Sequence, residues 1–366
     1  MQNALLKSIL FIPITVFLLY FTCSEQKEPD HLKITGVKMY SLNDSLPAIF
    51  NSLESMGINT IFCPPKLNAR FDFRKMCRKY KLKRFVIFPV FYNPAALKKD
   101  STLWSITDNG QKAKHAWMKF ICPSRKKYRT ASIDTLKDIV KEYDPDGISL
   151  DFIRYFVFWE NFTPEVDPDS IPNTCFCNYC LRKFQSDLNL KTPFNFRNKK
   201  EVSRWIKENH RHKWIKWKCN IITSMVVSMA KEIKKIDKDI VINLHAIPWK
   251  VSEYDSALSR VAGQDLNSMV QYVDYISPMT YSHMLSRNHG WIGQIIKNHK
   301  KITDGKILPN VQVSAAYRDK KLTAEHFRNC IFTIKNSNPA GIIFWHWKAL
   351  SADLSKQQII KNLINN

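Results

Sequence analysis

From residue 32 onward the chain alternates short β-branched or aromatic runs with stretches whose apolar residues recur at helical spacing. The strand candidates are "LKITGVKMYS" (33–42), "INTIFCPP" (58–65), "RFVIFPVFY" (84–92) and "DGISLDFIRY" (146–155). They continue with "IVINLHAIP" (240–248), "DYISPMTYS" (274–282), "KILPNVQVS" (306–314) and "AGIIFWHW" (340–347). Between them lie amphipathic segments such as "SLPAIFNSLESMG", "TASIDTLKDIVKEY", "WIGQIIKNHKKI" and "TAEHFRNCIFTIKN", and "DLSKQQIIKNLIN" supplies a helix after the last strand. Eight β-α units in series close into a (β/α)8 barrel, because crossovers between parallel strands are right-handed and each helix covers the strands it joins. The fold class is therefore α/β, a TIM barrel with long loops after strands three (about 93–130) and four (about 156–200). A doubly wound open sheet is the rival. It is disfavoured because "MYSLNDSLP" follows the first strand, where that fold puts a glycine-rich phosphate loop.

Side chains alternate along a strand, so each run divides into an inward and an outward set. In "DGISLDFIRY", Ile148, Leu150 and Phe152 share the helix-facing side, which leaves Ser149 and Asp151 inside with Asp151 near the mouth. In the fifth strand Ile242 and Leu244 face out while Asn243 and His245 face in. In the seventh, Val311 and Val313 face out while Asn310, Gln312 and Ser314 face in. A barrel interior is ordinarily filled by Val, Ile and Leu, and an unpaired buried polar group costs roughly 1–3 kcal/mol. Any one of these residues could be a satisfied core group. Three strands doing the same thing predict a polar ligand site.

The first thirty residues break the pattern. "MQNALLKSILFIPITVFLLYFTCSEQKEPD" has one basic residue, Lys7, then an apolar run from Ile9 to Phe21, then Cys23. That run is short for a membrane-spanning helix, which needs roughly 20 residues, and it has the shape of a secretory signal. The organisation read from it is a lipoprotein-type signal peptide over 1–22, a polar tether over 23–31 and a barrel over 32–366. Cys23 resembles the lipid-attachment cysteine of bacterial lipoproteins. The body is then expected outside the cytoplasm, anchored to a membrane and facing the periplasm or the cell exterior.

Composition adds a bias in partners. A formal net charge of +24, from 56 Lys+Arg against 32 Asp+Glu, favours something anionic. No zinc-finger, helix-turn-helix or RNP-type signature accompanies it, and the lysines are spread over helices as in "KEIKKIDKD". Nucleic acid is not expected, and an acidic glycan is compatible with the charge. Ten tryptophans, 13 tyrosines and 22 phenylalanines suit both a core and a sugar-binding surface.

Several motifs together resemble one family. "YDPDGISLDFIRY" resembles the strand-four signature of glycosyl-hydrolase-like (β/α)8 barrel proteins, mostly uncharacterised and often lipoproteins. "WMKFICPSRKKYR", "CFCNYCLRKF" and "GQDLNSMVQYVDYISPMTY" resemble further segments of that family, and the match covers most of residues 33–350. The resemblance implies cleavage of glycosidic bonds in a polysaccharide or oligosaccharide by two carboxyl groups, one ionised and one carrying a proton. Asp151 is the first candidate. For the second, Glu253 is favoured in "HAIPWKVSEYDS" after strand five, with Asp255 beside it. Asp265 in "GQDL" is a further catalytic candidate that could equally be a helix N-cap, and Glu160 and Glu165 lie in the strand-four loop.

The expected substrate-binding set is Arg154, Asn243, His245, Tyr281, Gln312, Trp345 and Trp347. Tyr281 resembles the substrate-facing tyrosine of chitinase-like "PMTY" motifs, yet "DGISLDFIRY" lacks the glutamate of a chitinase strand four. Trp345, His346 and Trp347 would form an aromatic floor. The alternative function is a non-catalytic carbohydrate-binding surface lipoprotein on the same barrel. "CFCNYC" brings Cys175, Cys177 and Cys180 to a mouth loop, where they could pair, brace the loop or bind zinc with a fourth ligand. Zinc motifs usually come as two spaced pairs, so no metal and no cofactor are expected.

Overall fold

The structure, a computed structural model, describes residues 33–191 and 196–364. The signal segment, the tether and Cys23 lie outside the described residues. Among the described residues no helix is long and apolar enough to cross a membrane.

Eight parallel strands form the barrel. They are β1 (Ile34–Lys38), β2 (Thr60–Cys63), β3 (Lys83–Pro89), β4 (Gly147–Asp151), β5 (Val241–Ala246), β6 (Tyr275–Pro278), β7 (Asn310–Gln312) and β8 (Gly341–Trp345). Each expected run contains one of them, except that β3 starts one residue before its run, at Lys83. Pairing runs β6-β5-β4-β3-β2-β1-β8-β7, and parallel bridges Ile276–Ile307 and Met279–Asn310 join β6 to β7. The expected helices are present at Leu46–Ser55, Lys126–Tyr143, His289–Thr303, Ala324–Asn336 and Leu354–Ile364. Local chemistry sets their starts: Asn288 and Thr323 cap theirs by accepting the N–H groups of Trp291 and His326. The regular alternation fails after β5, where only the short helices Glu253–Arg260 and Leu266–Met269 intervene before β6.

Alternation along the strands sorts the interior into layers. Ile148, Leu150, Ile242, Leu244, Val311 and Val313 pack outward into the helix-facing core, as the parity predicts. Inside, Ile34, Phe62, Phe85, Ile87, Leu308 and Ile343 form a separate apolar cluster. Two glycines make room for its rings. A Cβ at Gly36 would sit 2.6 Å from Phe62, and one at Gly147 would sit 2.5 Å from Phe85.

Next to this plug lies a hydrogen-bonded polar layer. Asn243 Nδ2 donates to Ser149 Oγ at 2.8 Å, and Ser277 Oγ donates to Asn243 Oδ1 at 2.7 Å. Ser149 Oγ also shares a hydrogen bond of 2.9 Å with His245 Nε2. Burial lowers the His245 pKa to about 3, so it stays neutral. All four side chains are buried, and each hydrogen bond offsets part of the desolvation cost of its neighbours.

One outward assignment is corrected. β4 ends at Asp151, and Phe152 adopts a left-handed conformation with φ +50. Its N–H bonds to Asp151 Oδ1 at 2.8 Å, so the chain turns there. The Phe152 ring therefore swings into the mouth and stacks on Tyr92, with centroids 4.9 Å apart, instead of following Leu150 outward.

The plug gives a direct test. Gly147→Ala should destabilise the fold by about 1–3 kcal/mol, the usual cost of overpacking, measured by urea or thermal unfolding. Trimming the facing ring with Phe85→Leu in the same chain should recover part of that loss. Additive effects of the two changes would contradict the packing described.

Candidate active site

A pocket of about 130 Å3 opens at the C-terminal mouth of the barrel. Asp151 ends β4 and Lys38 ends β1, both facing in. Arg154, Trp159 and Glu160 come from the loop after β4, Trp117 from the loop after β3, and Tyr317 from the segment after β7. Tyr281 and Trp345 complete one wall, their rings stacked with centroids 4.6 Å apart. Opposite strand loops meet over the pocket, where Trp117 Nε1 donates to Tyr317 Oη at 2.6 Å.

Two cations and two carboxyls share this space. Burial lowers the Lys38 pKa to about 8, against the pull of Asp151, which favours the ammonium. Arg154 is 3% exposed. Its guanidinium donates to the carbonyls of Tyr155 and Val157 at 3.1 and 2.9 Å and lies over the Phe120 ring at 4.9 Å. Burial lowers its pKa to about 10.

Glu160 is the unusual member. It sits in a one-turn 3-10 segment, Trp159–Asn161, and is only 8% exposed. Burial raises its pKa to about 7, Arg154 opposes that rise, and Asp151 adds to it. Its Oε2 is buried with no hydrogen-bond partner among the described residues. A carboxyl held this way keeps its proton toward neutrality.

The favoured second carboxylates lie elsewhere. Glu253 is ion-paired to Arg287 at 2.6 Å and accepts the Lys250 N–H at 3.1 Å, so both of its oxygens are engaged away from the pocket. Asp255 is bound by Arg211 and Arg260. Asp265 caps the helix Leu266–Met269, accepting from the Ser268 amide and hydroxyl, which is the N-cap reading of "GQDL". Glu165 is exposed.

The expected binding set divides. Arg154, Tyr281 and Trp345 line the pocket. Asn243 and His245 belong to the polar layer described above, while His245 still feels the charges of Lys38 and Asp151. Gln312 faces inward, but it accepts the Met284 N–H at 3.0 Å and donates to the Ser314 carbonyl at 2.7 Å, so it fastens backbone. Trp347 is buried and donates to Asn43 at 2.7 Å, outside the pocket. Lys38 was missed although the parity of "LKITGVKMYS" puts it inside. Trp117, Trp159 and Tyr317 sit on loops, which carry no period to read.

The loop cysteines acquire a partner the sequence did not single out. Cys122, from the loop after β3, joins Cys175, Cys177 and Cys180 in one buried group. The expectation of no metal rested on three thiols; the fold supplies a fourth.

No protein-family model matches the chain, and no curated protein matches it either. Solved structures do. The glycoside hydrolase domain of PgaB (BpsB) from Bordetella bronchiseptica superposes with a TM-score of 0.69 at 11% identity, over 90% of this chain and 98% of that one. The β-galactosidase of Bacillus circulans sp. alkalophilus gives 0.64 at 10% identity, over 92% of this chain and 56% of that one. Alpha-L-fucosidase isoenzyme 2 of Paenibacillus thiaminolyticus gives 0.58 at 11%, over 92% and 49%. The chain thus spans about half the length of the latter two. At these identities the likeness is one of fold: the chain has a glycoside-hydrolase-like (β/α)8 barrel.

Proposed function

We propose that the protein is a glycoside hydrolase whose working pair is Asp151 and Glu160. The observation that carries this reading is Glu160: a buried carboxyl with its pKa raised to about 7, sharing a barrel-mouth pocket with a second carboxyl. Glycosidases need two such groups in unlike states. Glu160 protonates the departing glycosidic oxygen. Asp151 faces the anomeric carbon as the negatively charged partner, either attacking it or activating a water. The stacked Tyr281 and Trp345 rings offer an apolar surface to the C–H face of a sugar.

Lys38 and Arg154 are cations inside the same pocket, which suits a sugar bearing a carboxylate or sulfate. With the overall charge of +24, that supports an acidic polysaccharide as the substrate class. The N-terminal pattern supports attachment to a membrane through Cys23, outside the cytoplasm.

A glycan-library screen tests the activity. Asp151→Asn should lower turnover by about 10²–10⁴-fold, the range for removing a positioned acid-base group. Glu160→Gln should be equally damaging on natural glycans and far milder on aryl glycosides, whose phenolate leaves without help from an acid. In the wild type kcat/KM should fall as pH rises through about 7, where Glu160 loses its proton, and Glu160→Gln should abolish that limb. Oligosaccharide binding with no turnover of any glycan would favour the non-catalytic reading. Labelled lipid should be incorporated by the wild type in cells and not by Cys23→Ser; equal labelling of the two would contradict the anchor.

A further inference from the structure

The loops that carry the pocket residues are tied together behind it. Backbone bonds link Phe176 N–H to the Ile106 carbonyl at 2.8 Å and Asp108 N–H to the Asn173 carbonyl at 2.9 Å. At this seam the Sγ atoms of Cys122, Cys175, Cys177 and Cys180 all lie within 4.8 Å of one another. Cys122 is 3.3 Å from Cys180 and 3.7 Å from Cys177. All four are buried.

Zinc–sulfur bonds of about 2.3 Å arranged tetrahedrally put the sulfurs about 3.8 Å apart. The observed spacing brackets that edge. A polynuclear iron–sulfur cluster would hold its cysteines farther apart, because sulfide and several irons stand between them. A disulfide brings two sulfurs to about 2.05 Å and accounts for partners two at a time, whereas here each thiol faces three others.

The surroundings suit thiolates. The Cys180 N–H donates to Cys177 Sγ at 3.4 Å, and the Ile106 N–H donates to Cys175 Sγ at 3.4 Å. Ser124 Oγ lies 3.3 Å from Cys180 Sγ, placed to donate its hydroxyl proton to a thiolate. The charge on the sulfurs reaches three cations, Arg129, Lys199 and Lys218. Such outer contacts orient ligands and offset the charge of a four-thiolate site.

We infer that Cys122, Cys175, Cys177 and Cys180 bind one zinc ion in a closed site that clasps the β3 and β4 loops together. Four protein ligands leave no open position, so the ion is structural. It fixes the loop bearing Trp117 against the loop bearing Glu160, and so holds the mouth pocket in shape.

The test is metal content of the purified full chain, produced with zinc in the medium, by elemental mass spectrometry and by mercurial release of zinc to a coloured chelator. About one zinc per chain is expected, released as the thiols are titrated. Cys177→Ser should reduce loading to below about a tenth, while Cys330→Ser, a buried cysteine outside the group, should load fully. Chelation should lower the melting temperature of the wild type and of Cys330→Ser alike. If Cys177→Ser fails to fold, wild-type loading and thiol-coupled release still decide the matter. A zinc-free wild type overturns the inference, whether its four thiols are all alkylatable or its mass is lower by four hydrogens through two disulfides.

Discussion

A closed eight-stranded sheet leaves its inward side chains no exit, so every one must be packed, hydrogen-bonded or used. The rest of this structure follows from how that constraint is met. At one end Phe62 and Phe85 fill the lumen, admitted by Gly36 and Gly147, which have no Cβ to oppose the rings. In the middle Ser149, Asn243, Ser277 and His245 bond to one another. At the mouth the lumen meets long loops, and there Glu160 keeps a buried oxygen without a partner among the described residues.

The mouth is a problem in charge. Lys38 and Arg154 bring two cations into a space that excludes most water, and Asp151 and Glu160 bring two acids. Burial works against every charged form, but the groups are not equally compensated. Arg154 is held by two carbonyls and an aromatic face. Glu160 has an oxygen with no partner, and its proton is the least costly way to keep it there. That asymmetry distinguishes two carboxyls that look alike in the sequence, and it is the physical basis for giving them different tasks. The cysteine group acts at one remove, since the loops that present Trp117 and Glu160 are joined beside it.

The fold was legible because its signal is periodic and repeated. Eight strand runs stand apart from the helical stretches between them, and parity alone places Ser149, Asn243, His245 and Gln312 inside. Parity fails where a strand ends, which is why Phe152 was assigned outward: a left-handed turn at that residue cannot be read from alternation. It also says nothing about what an inward residue bonds to, so Asn243 and Gln312 were read as substrate contacts when they fasten the barrel. Glu253 was favoured for its position after a strand, but Arg287, brought in by the chain after β6, neutralises it. Glu160 was visible only as one loop acid among several, because what sets it apart is burial. Cys122 lies far upstream of "CFCNYC", and only the packing of the two loops brings them together.

The central claim is that Glu160, in the pocket it shares with Asp151, keeps its proton up to about pH 7, and it can be measured without knowing the substrate. Infrared difference spectra between the wild type and Glu160→Gln, collected across a pH titration, isolate the carboxyl of Glu160. A protonated-carboxyl band that persists until it is lost near pH 7 is the predicted result. A band already lost by the ordinary glutamate value of about 4.5 would contradict the account.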